Sequence, residues 1–323
     1  MRGSTMPQLV PLNPENPQHI TWLVETWNQA CGPALAISAR FAAFNLRPVT
    51  GGVQAGRFAV EDGQPVGVIL ASAHPEAPPA MSRSQGWIDA IAVVGSHQRR
   101  GIGGNLLAWA ETWLADQGAR FVTPGGSLRP FAPGLPLDTG AVPFFHAAGY
   151  ADQRAPKVWD VARDLSDYTP PSSLRETPSQ ARPAQPGQEE DLLGFLRREF
   201  PGRWTFEAEE FLRDGGRISD YMLLWTDQGV DGACRLTFED SVWPMERYYP
   251  YDLPRPWGQL GSIGVSQARR GQGLGLALLD AGLRRLHNCG VRGCVIDWTT
   301  IVDFYALAGF QIYREWATLV KEL

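Results

Sequence analysis

The sequence predicts an α/β (α+β) protein made of two tandem copies of one fold, each a mixed, mostly antiparallel central sheet flanked by helices. Three observations predict it. A short apolar run, a glycine turn and a helix occur twice: Ile88 to Val94 precedes Gln98-Arg-Arg-Gly-Ile-Gly103, and Gly261 to Val265 precedes Arg270-Gly-Gln-Gly-Leu-Gly275. The two stretches match at a spacing of 172 residues, which superposes Ile91 on Ile263, Val93 on Val265, Gly101 on Gly273 and Gly103 on Gly275. The chain has 323 residues, room for about two domains of ~150 residues each.

The elements follow in order. Gln8 to Leu12 reads as a strand, and Asn13-Pro-Glu-Asn-Pro17 as a capping turn. Ile20, Leu23, Val24 and Trp27 recur at helical spacing, Gly32-Pro33 ends that helix, and a second helix reaches about Phe44. Gly56 to Val60, the turn Glu61-Asp-Gly-Gln64 and Pro65 to Ala73 make a hairpin. The signature strand, glycine turn and helix come next, with Leu106, Ala110, Trp113 and Leu114 on one helix face. Arg120 to Thr123 is a strand. Residues 123–143 then hold five prolines and four glycines, a long ordered loop of the kind that carries function. Phe144 to Ala148 is a short helix stopped by Gly149, and two closing strands run over 150–153 and 157–164.

The second copy repeats this plan. Helices are expected over 189–200 and 207–213, a hairpin over 221–238, an aromatic and acidic insert over 239–257, and a strand over 293–298. A helix over 302–308 and closing strands over 310–321 finish it. The domains are therefore drawn as 6–166 and 181–323, joined by a proline-rich linker at 167–180 with a short strand near Arg182.

Composition narrows the function. The hydrophobic fraction of 44% is ordinary for a globular protein, and the formal net charge of −5 argues against nucleic-acid binding. No apolar run reaches the ~20 residues of a membrane span, and no signal-peptide core opens the chain. The four cysteines have no metal or redox spacing, so reduced thiols, a cytoplasmic location and no metal are expected. The glycine turns point to phosphate, because they bare backbone N–H groups where a helix dipole begins. A dinucleotide-binding turn is the rival, but it would follow the first strand of its unit rather than the fourth.

The order of elements, the twice-occurring [Gln/Arg]-x-x-Gly-x-[Gly/Ala] turn and the segment Phe304-Tyr-Ala-Leu-Ala-Gly-Phe310 resemble the GNAT superfamily of acyl-CoA-dependent N-acyltransferases, in two copies. The resemblance covers nearly the whole chain. It implies acetyl-CoA as co-substrate. Ile263, Gly264 and Val265 would take the pantetheine arm as an added strand, and Arg270, Gly271, Gln272, Gly273, Leu274 and Gly275 would take the pyrophosphate. The earlier counterparts are Ile91 and Val93, then Gln98, Arg99, Arg100, Gly101 and Gly103. It further implies that Tyr305 protonates the CoA thiolate. The matching residue of the first copy is Phe145, which has no proton to give, and the adjacent His146 would point elsewhere. The second copy is therefore expected to be catalytic and the first structural or CoA-binding. The residues ahead of Tyr305 depart from the family pattern, with Trp298, Thr299 and Val302 in place of the usual Asn and Ala.

Candidate general bases are Glu239 and Asp297, with Asp240 and Glu246 behind them. The expected reaction is acetyl transfer to the amine of a small molecule or peptide by a monomer or homodimer. The alternative is a non-catalytic protein that binds CoA as a sensor or scaffold.

Overall fold

The computed structural model describes residues 6–174, 180–244 and 252–323. They form two compact units. The first holds residues up to Val158 together with Trp316–Leu323, and the second holds Trp159 onward, through Glu315. These units differ from the segments 6–166 and 181–323 drawn from the sequence. Residues 159–166 belong with the second unit, and the last eight residues complete the first.

In the first unit, β1 (Gln8–Pro11) leads to α1 (Pro17–Cys31) and α2 (Ala39–Asn45). Asn16 caps α1 by accepting from the Gln18 N–H at 3.0 Å, and Ser38 caps α2 by accepting from that of Phe41 at 3.1 Å. Then come β2 (Val53–Glu61), β3 (Gln64–Ala73), β4 (Gln85–Val93), α3 (Ile102–Asp116) and β5 (Phe121–Pro124). The proline-rich stretch contributes a two-residue strand, β6 (Leu135–Pro136), and α4 (Ala141–Ala147). The unit's strands lie in the order β1, β2, β3, β4, β5. All pairs are antiparallel except β4 with β5, which pair in parallel only from Gln85↔Phe121 to Ile88↔Pro124. Beyond Ile88 the two strands have no paired residues.

The second unit begins inside β7 (Ala151–Asp164). It adds β8 (Gln180–Pro183), α5 (Glu189–Glu199), α6 (Arg203–Arg213), β9 (Tyr221–Thr226), β10 (Gly229–Phe238) and β11 (Trp257–Val265). It ends with α7 (Leu274–Asn288), β12 (Gly293–Thr299), α8 (Val302–Ala306) and β13 (Gln311–Glu322). β11 and β12 pair in parallel only over Trp257↔Gly293 to Gln259↔Val295, the same short zip as β4 with β5. The closing strands expected as pairs at 150–164 and 310–321 are single long strands, and α6 starts four residues earlier than its polarity suggested. The expected linker is anchored at its start, where the buried Tyr168 hydroxyl donates to Asp280 at 2.9 Å.

Each long closing strand passes from one unit to the other. Val161 is fully buried among Leu224, Leu236, Leu260, Leu283 and Ile296 of the second core. Lys321 and Glu322 pair with Val122 and Phe121, and Leu319 is fully buried among Ile88, Leu106, Leu114, Val122 and Phe145 of the first. Leu319→Ala is therefore expected to destabilise the first unit by about 3 kcal/mol, the usual loss for a leucine cut back in a closed core. Hydrogen exchange should show the loss in α3 and not in α7.

Candidate functional site

A cleft of about 830 Å³ lies in the first unit. Its floor is Ile88 to Val93 of β4, where β5 has parted from it, and its far end is the loop from His97 to Gly104. Gly125, Gly134, Leu135, Pro136 and Gly140 of the proline-rich stretch form one wall. Small residues at the end of α1 and just after it, Ala30 and Ala34, leave room on the other side.

The loop is built to receive an anion. Gly101 has φ 83°, the left-handed region that costs glycine nothing, and it opens α3 with no side-chain cap. The first N–H groups of α3 therefore face the cleft at the positive end of the helix dipole. Arg99 is also left-handed, at φ 61°, and lines the cleft. Gln98 Nε2 donates to the Val93 carbonyl at 2.9 Å and fixes the loop to β4. Arg100 turns away and forms a two-pronged pair with Glu61, at 2.6 and 3.1 Å. That hydrogen bonding holds the Glu61 carboxyl below its ordinary pKa.

Asp89 stands in the middle of the cleft floor. The β3–β4 register runs from Leu70↔Ala90 to Ala71↔Ile88, so Asp89 is the extra residue of a β-bulge. Such a bulge re-aims a side chain. Asp89 is 3% exposed, accepts from Ser72 Oγ at 2.8 Å and Gln54 Nε2 at 3.2 Å, and is also hydrogen-bonded by Ser127. Burial outweighs these three neutral donors and pushes its carboxyl up to about 6. Cys31 lines the same cleft, and burial lifts its thiol to about 12, which makes it a poor nucleophile near neutral pH.

The second unit repeats the loop but not the cleft floor. Gly273, at φ 81°, opens α7 without a side-chain cap, and Gly271 at φ 77° takes the place of Arg99. Arg270 Nε reaches the Val265 carbonyl at 3.4 Å, repeating the Gln98 bond. Phe144 packs on Gly103 in one unit and Phe304 on Gly275 in the other. Along β11, however, a Cβ at Gly264 would lie 2.3 Å from Phe200 Cζ and 2.8 Å from Trp204 Cζ3. Those two rings, 4.5 Å apart, press on the strand segment assigned to the arm. Arg203 covers Trp298, 4.3 Å from its ring centre. The residue 172 positions after Asp89 is Gly261, which has no side chain.

Of the expected catalytic residues of the second unit, Asp297 lies near enough to Tyr305 for its charge to act on the phenol, while Glu239 is engaged by Arg255 and the Trp257 N–H. Tyr305 is 5% exposed and packs with Phe304 and Phe310 in the core. Burial, then the charge of Asp297, raises its phenol pKa further, while a hydrogen bond from Thr299 works against them. Glu239 accepts from Arg255 Nε at 2.8 Å and from the Trp257 N–H at 3.0 Å, as a loop brace would. Asp297 Oδ1 accepts from Gln259 Nε2 at 2.5 Å. Asp240 pairs with Arg217, and His146 with Asp152 at 3.3 Å. Glu246 lies outside the described residues. Among the described residues no cluster of His, Cys, Asp or Glu could hold a metal ion, and no helix is long and apolar enough to cross a membrane.

The duplicated strand–loop–helix now has known counterparts. The acetyltransferase (GNAT) family profile matches residues 19–124 and 189–310. The chain belongs to this family. It is 26% identical over 237 residues to the mycothiol acetyltransferase of Geodermatophilus obscurus, covering 68% of this chain and 69% of that protein. Among solved structures, a tandem GNAT protein from the clavulanic acid biosynthesis pathway superposes with a TM-score of 0.71 at 18% identity, over 98% of both chains. The GCN5-related glucosamine N-acetyltransferase region of a fungal multi-domain GH3 β-N-acetylglucosaminidase gives 0.84 at 20% identity. There the match covers 98% of this chain but 38% of the fungal one. These structures share the fold, and GNAT acetyltransferases as a family use acetyl-CoA and act on small-molecule or peptide amines.

Sequence reading missed Asp89. The signal was available: a carboxylate inside the apolar run Ile88-Asp-Ala-Ile-Ala-Val-Val94, at a place where its twin has glycine. A charge in a strand otherwise fit for burial calls for a reason.

Proposed function

We propose that this protein is an acetyl-CoA-dependent N-acetyltransferase of a small amine or peptide amine, and that its chemistry lies in the first unit. One observation carries the reading. A single cleft joins the parted segment of β4, the glycine loop with Arg99, and a buried carboxylate of raised pKa. The second unit would then act as a structural partner, since Phe200 and Trp204 crowd the strand that would take the arm.

The residues present suit acetyl-CoA. The N–H groups of Gly101 to Gly104 and the Arg99 guanidinium would hold the pyrophosphate, and the free edge of β4 at Ile91 and Val93 would take the pantetheine arm. Acetyl-CoA, when bound, supplies an acyl group activated as a thioester. Asp89 accepts a proton from the incoming ammonium, directly or through one water, and so frees the nitrogen lone pair for attack. Phe145 offers no proton to the departing sulfur. A thiol has a pKa of about 8.5, so the sulfur can leave as thiolate and take its proton from water.

Native mass spectrometry and an amine panel test the reading together. One acetyl-CoA per chain is expected, with Tyr305→Phe keeping turnover within about threefold. A hundredfold loss in Tyr305→Phe would move the chemistry to the second unit, and two bound molecules would mean that the second loop binds as well. Binding without turnover of any amine would favour the sensor or scaffold.

A further inference from the structure

The place of the acceptor follows from that of the coenzyme. The glycine loop stands past the end of β4, and Ile91 and Val93 precede it on the strand. Asp89 comes before them, about 13 Å upstream of Val93 at the rise of a strand. With the pyrophosphate at the loop and the arm beside Ile91 and Val93, the acyl end and the incoming amine meet at Asp89.

That end of the cleft is apolar apart from Asp89. Trp27, Ala30 and Cys31 recur at helical spacing and turn one face of α1 to the cleft. The Gly126 N–H donates to the Ala132 carbonyl at 2.8 Å and closes a tight loop. The loop carries both Ser127, a hydrogen-bond partner of Asp89, and Phe131, whose ring centre lies 5.5 Å from that of Trp27. Trp27 therefore stands at the Asp89 end. Its indole N–H is spent on the Leu35 carbonyl at 2.7 Å, so Trp27 and the buried Leu35 offer the cleft only apolar surface and a π face. Cys31 stays a neutral thiol. Among the described residues that line the cleft, the basic side chains are His97 and Arg99, both in the glycine loop, and the remaining charged one is another acid, the exposed Asp138. An ammonium thus meets a carboxylate and an aromatic face, and the carbon chain behind it meets apolar walls. A carboxylate or phosphate carried close to that nitrogen would lose its water beside Asp89 and find no cation.

We propose that the acceptor is a primary amine with an apolar body, alkyl or aryl, and with no carboxylate or phosphate near its nitrogen. Asp89 holds the ammonium, and Trp27 and Leu35 cover the body. This rests on the assignment of the chemistry to the first unit. It predicts selection on three features at once: the positive nitrogen, the apolar body and the lack of a neighbouring anion.

The test measures binding, so it does not depend on turnover. Phenethylamine is titrated into the CoA-loaded protein by ligand-observed NMR at neutral pH and fixed ionic strength, beside three probes that each change one feature. Phenylalanine adds a carboxylate, ethanolamine replaces the ring with a hydroxyl, and phenethyl alcohol replaces the ammonium with a hydroxyl. Phenethylamine is expected to bind roughly tenfold tighter or more than each of them. Ala30→Leu, a change that a helix tolerates, narrows the cleft and should weaken phenethylamine about fivefold while leaving ethanolamine unchanged. Asp89→Asn should erase the preference over phenethyl alcohol. Phenylalanine or ethanolamine binding as tightly as phenethylamine, no detectable binding of phenethylamine, or an affinity unchanged in Ala30→Leu would overturn the proposal. Acetylation of the same amines is read separately. Selective binding without turnover leaves the acceptor pocket standing and sinks the catalytic reading. Turnover of phenylalanine and ethanolamine in preference to phenethylamine, lost in Asp89→Asn, does the reverse.

Discussion

Asp89→Asn is expected to lower kcat by about 10²- to 10⁴-fold, the usual worth of a positioned general base, while leaving acetyl-CoA affinity within about twofold. The wild-type kcat should fall tenfold per pH unit below about 6, because protonated Asp89 cannot accept a proton. The same raised pKa has a stability signature of the opposite sense. An unfolded aspartate titrates near 3.9, so between about 4 and 6 the folded chain binds more protons than the unfolded one. Stability must then fall as pH rises through that window, by about 3 kcal/mol in all. Asn cannot ionise and escapes this cost, although its amide must sit against the Gln54 donor. The variant should therefore be at least as stable as wild type at pH 7, which separates lost catalysis from lost fold. Full activity in Asp89→Asn, or a pH profile flat through 6, would remove Asp89 from the chemistry.

Much of the fold was legible because the physics is local. Gly101 and Gly273 announce left-handed turns ahead of helices, and Asp62-Gly63 announces a hairpin. Leu106, Ala110 and Leu114 announce one face of α3. The matched spacing then multiplied every reading by two. What escaped was long-range. Nothing near Leu319 says that its strand closes a core begun two hundred residues earlier. The pairing of Lys321 with Val122 is set by the path of β13, not by composition. The site divides the same way. The loop residues could be named from their motif, since backbone N–H groups need only a turn to be presented. The crowding at Gly264 comes from how Phe200 and Trp204 pack, and neither ring is marked by any motif. Tyr305 illustrates the limit of reading by correspondence. The phenol stands where the motif puts it, yet its surroundings are Phe304, Phe310 and the core.

Gly104→Glu is expected to weaken acetyl-CoA binding roughly a hundredfold, whereas Gly271→Asp in the second loop should leave it unchanged. Gly104 lies in the first turn of α3, on the cleft, with no atom within 4 Å of where its Cβ would be, so the new side chain meets no obstacle. The fold should even gain. Glycine within a helix costs about 1 kcal/mol relative to a good helix former, and a carboxylate in the first turn suits the dipole by a few tenths more. The same carboxylate competes for the N–H groups that the pyrophosphate needs. At about 6 Å from a phosphate and an effective dielectric of ~20, the repulsion is about 3 kcal/mol, which is roughly a hundredfold in Kd. Gly271 is exposed, with open space beside it, and left-handed at φ 77°, a strained conformation for any side chain but one that Asp tolerates better than most, so Gly271→Asp places a like charge on the second loop and its melting curve reads the strain separately. Calorimetry with acetyl-CoA and melting curves on both variants decide between the units. A more stable Gly104→Glu protein that no longer binds assigns the coenzyme to the first loop. Weakening by Gly271→Asp alone would assign it to the second, and partial loss of stoichiometry in both would mean that each loop holds one molecule.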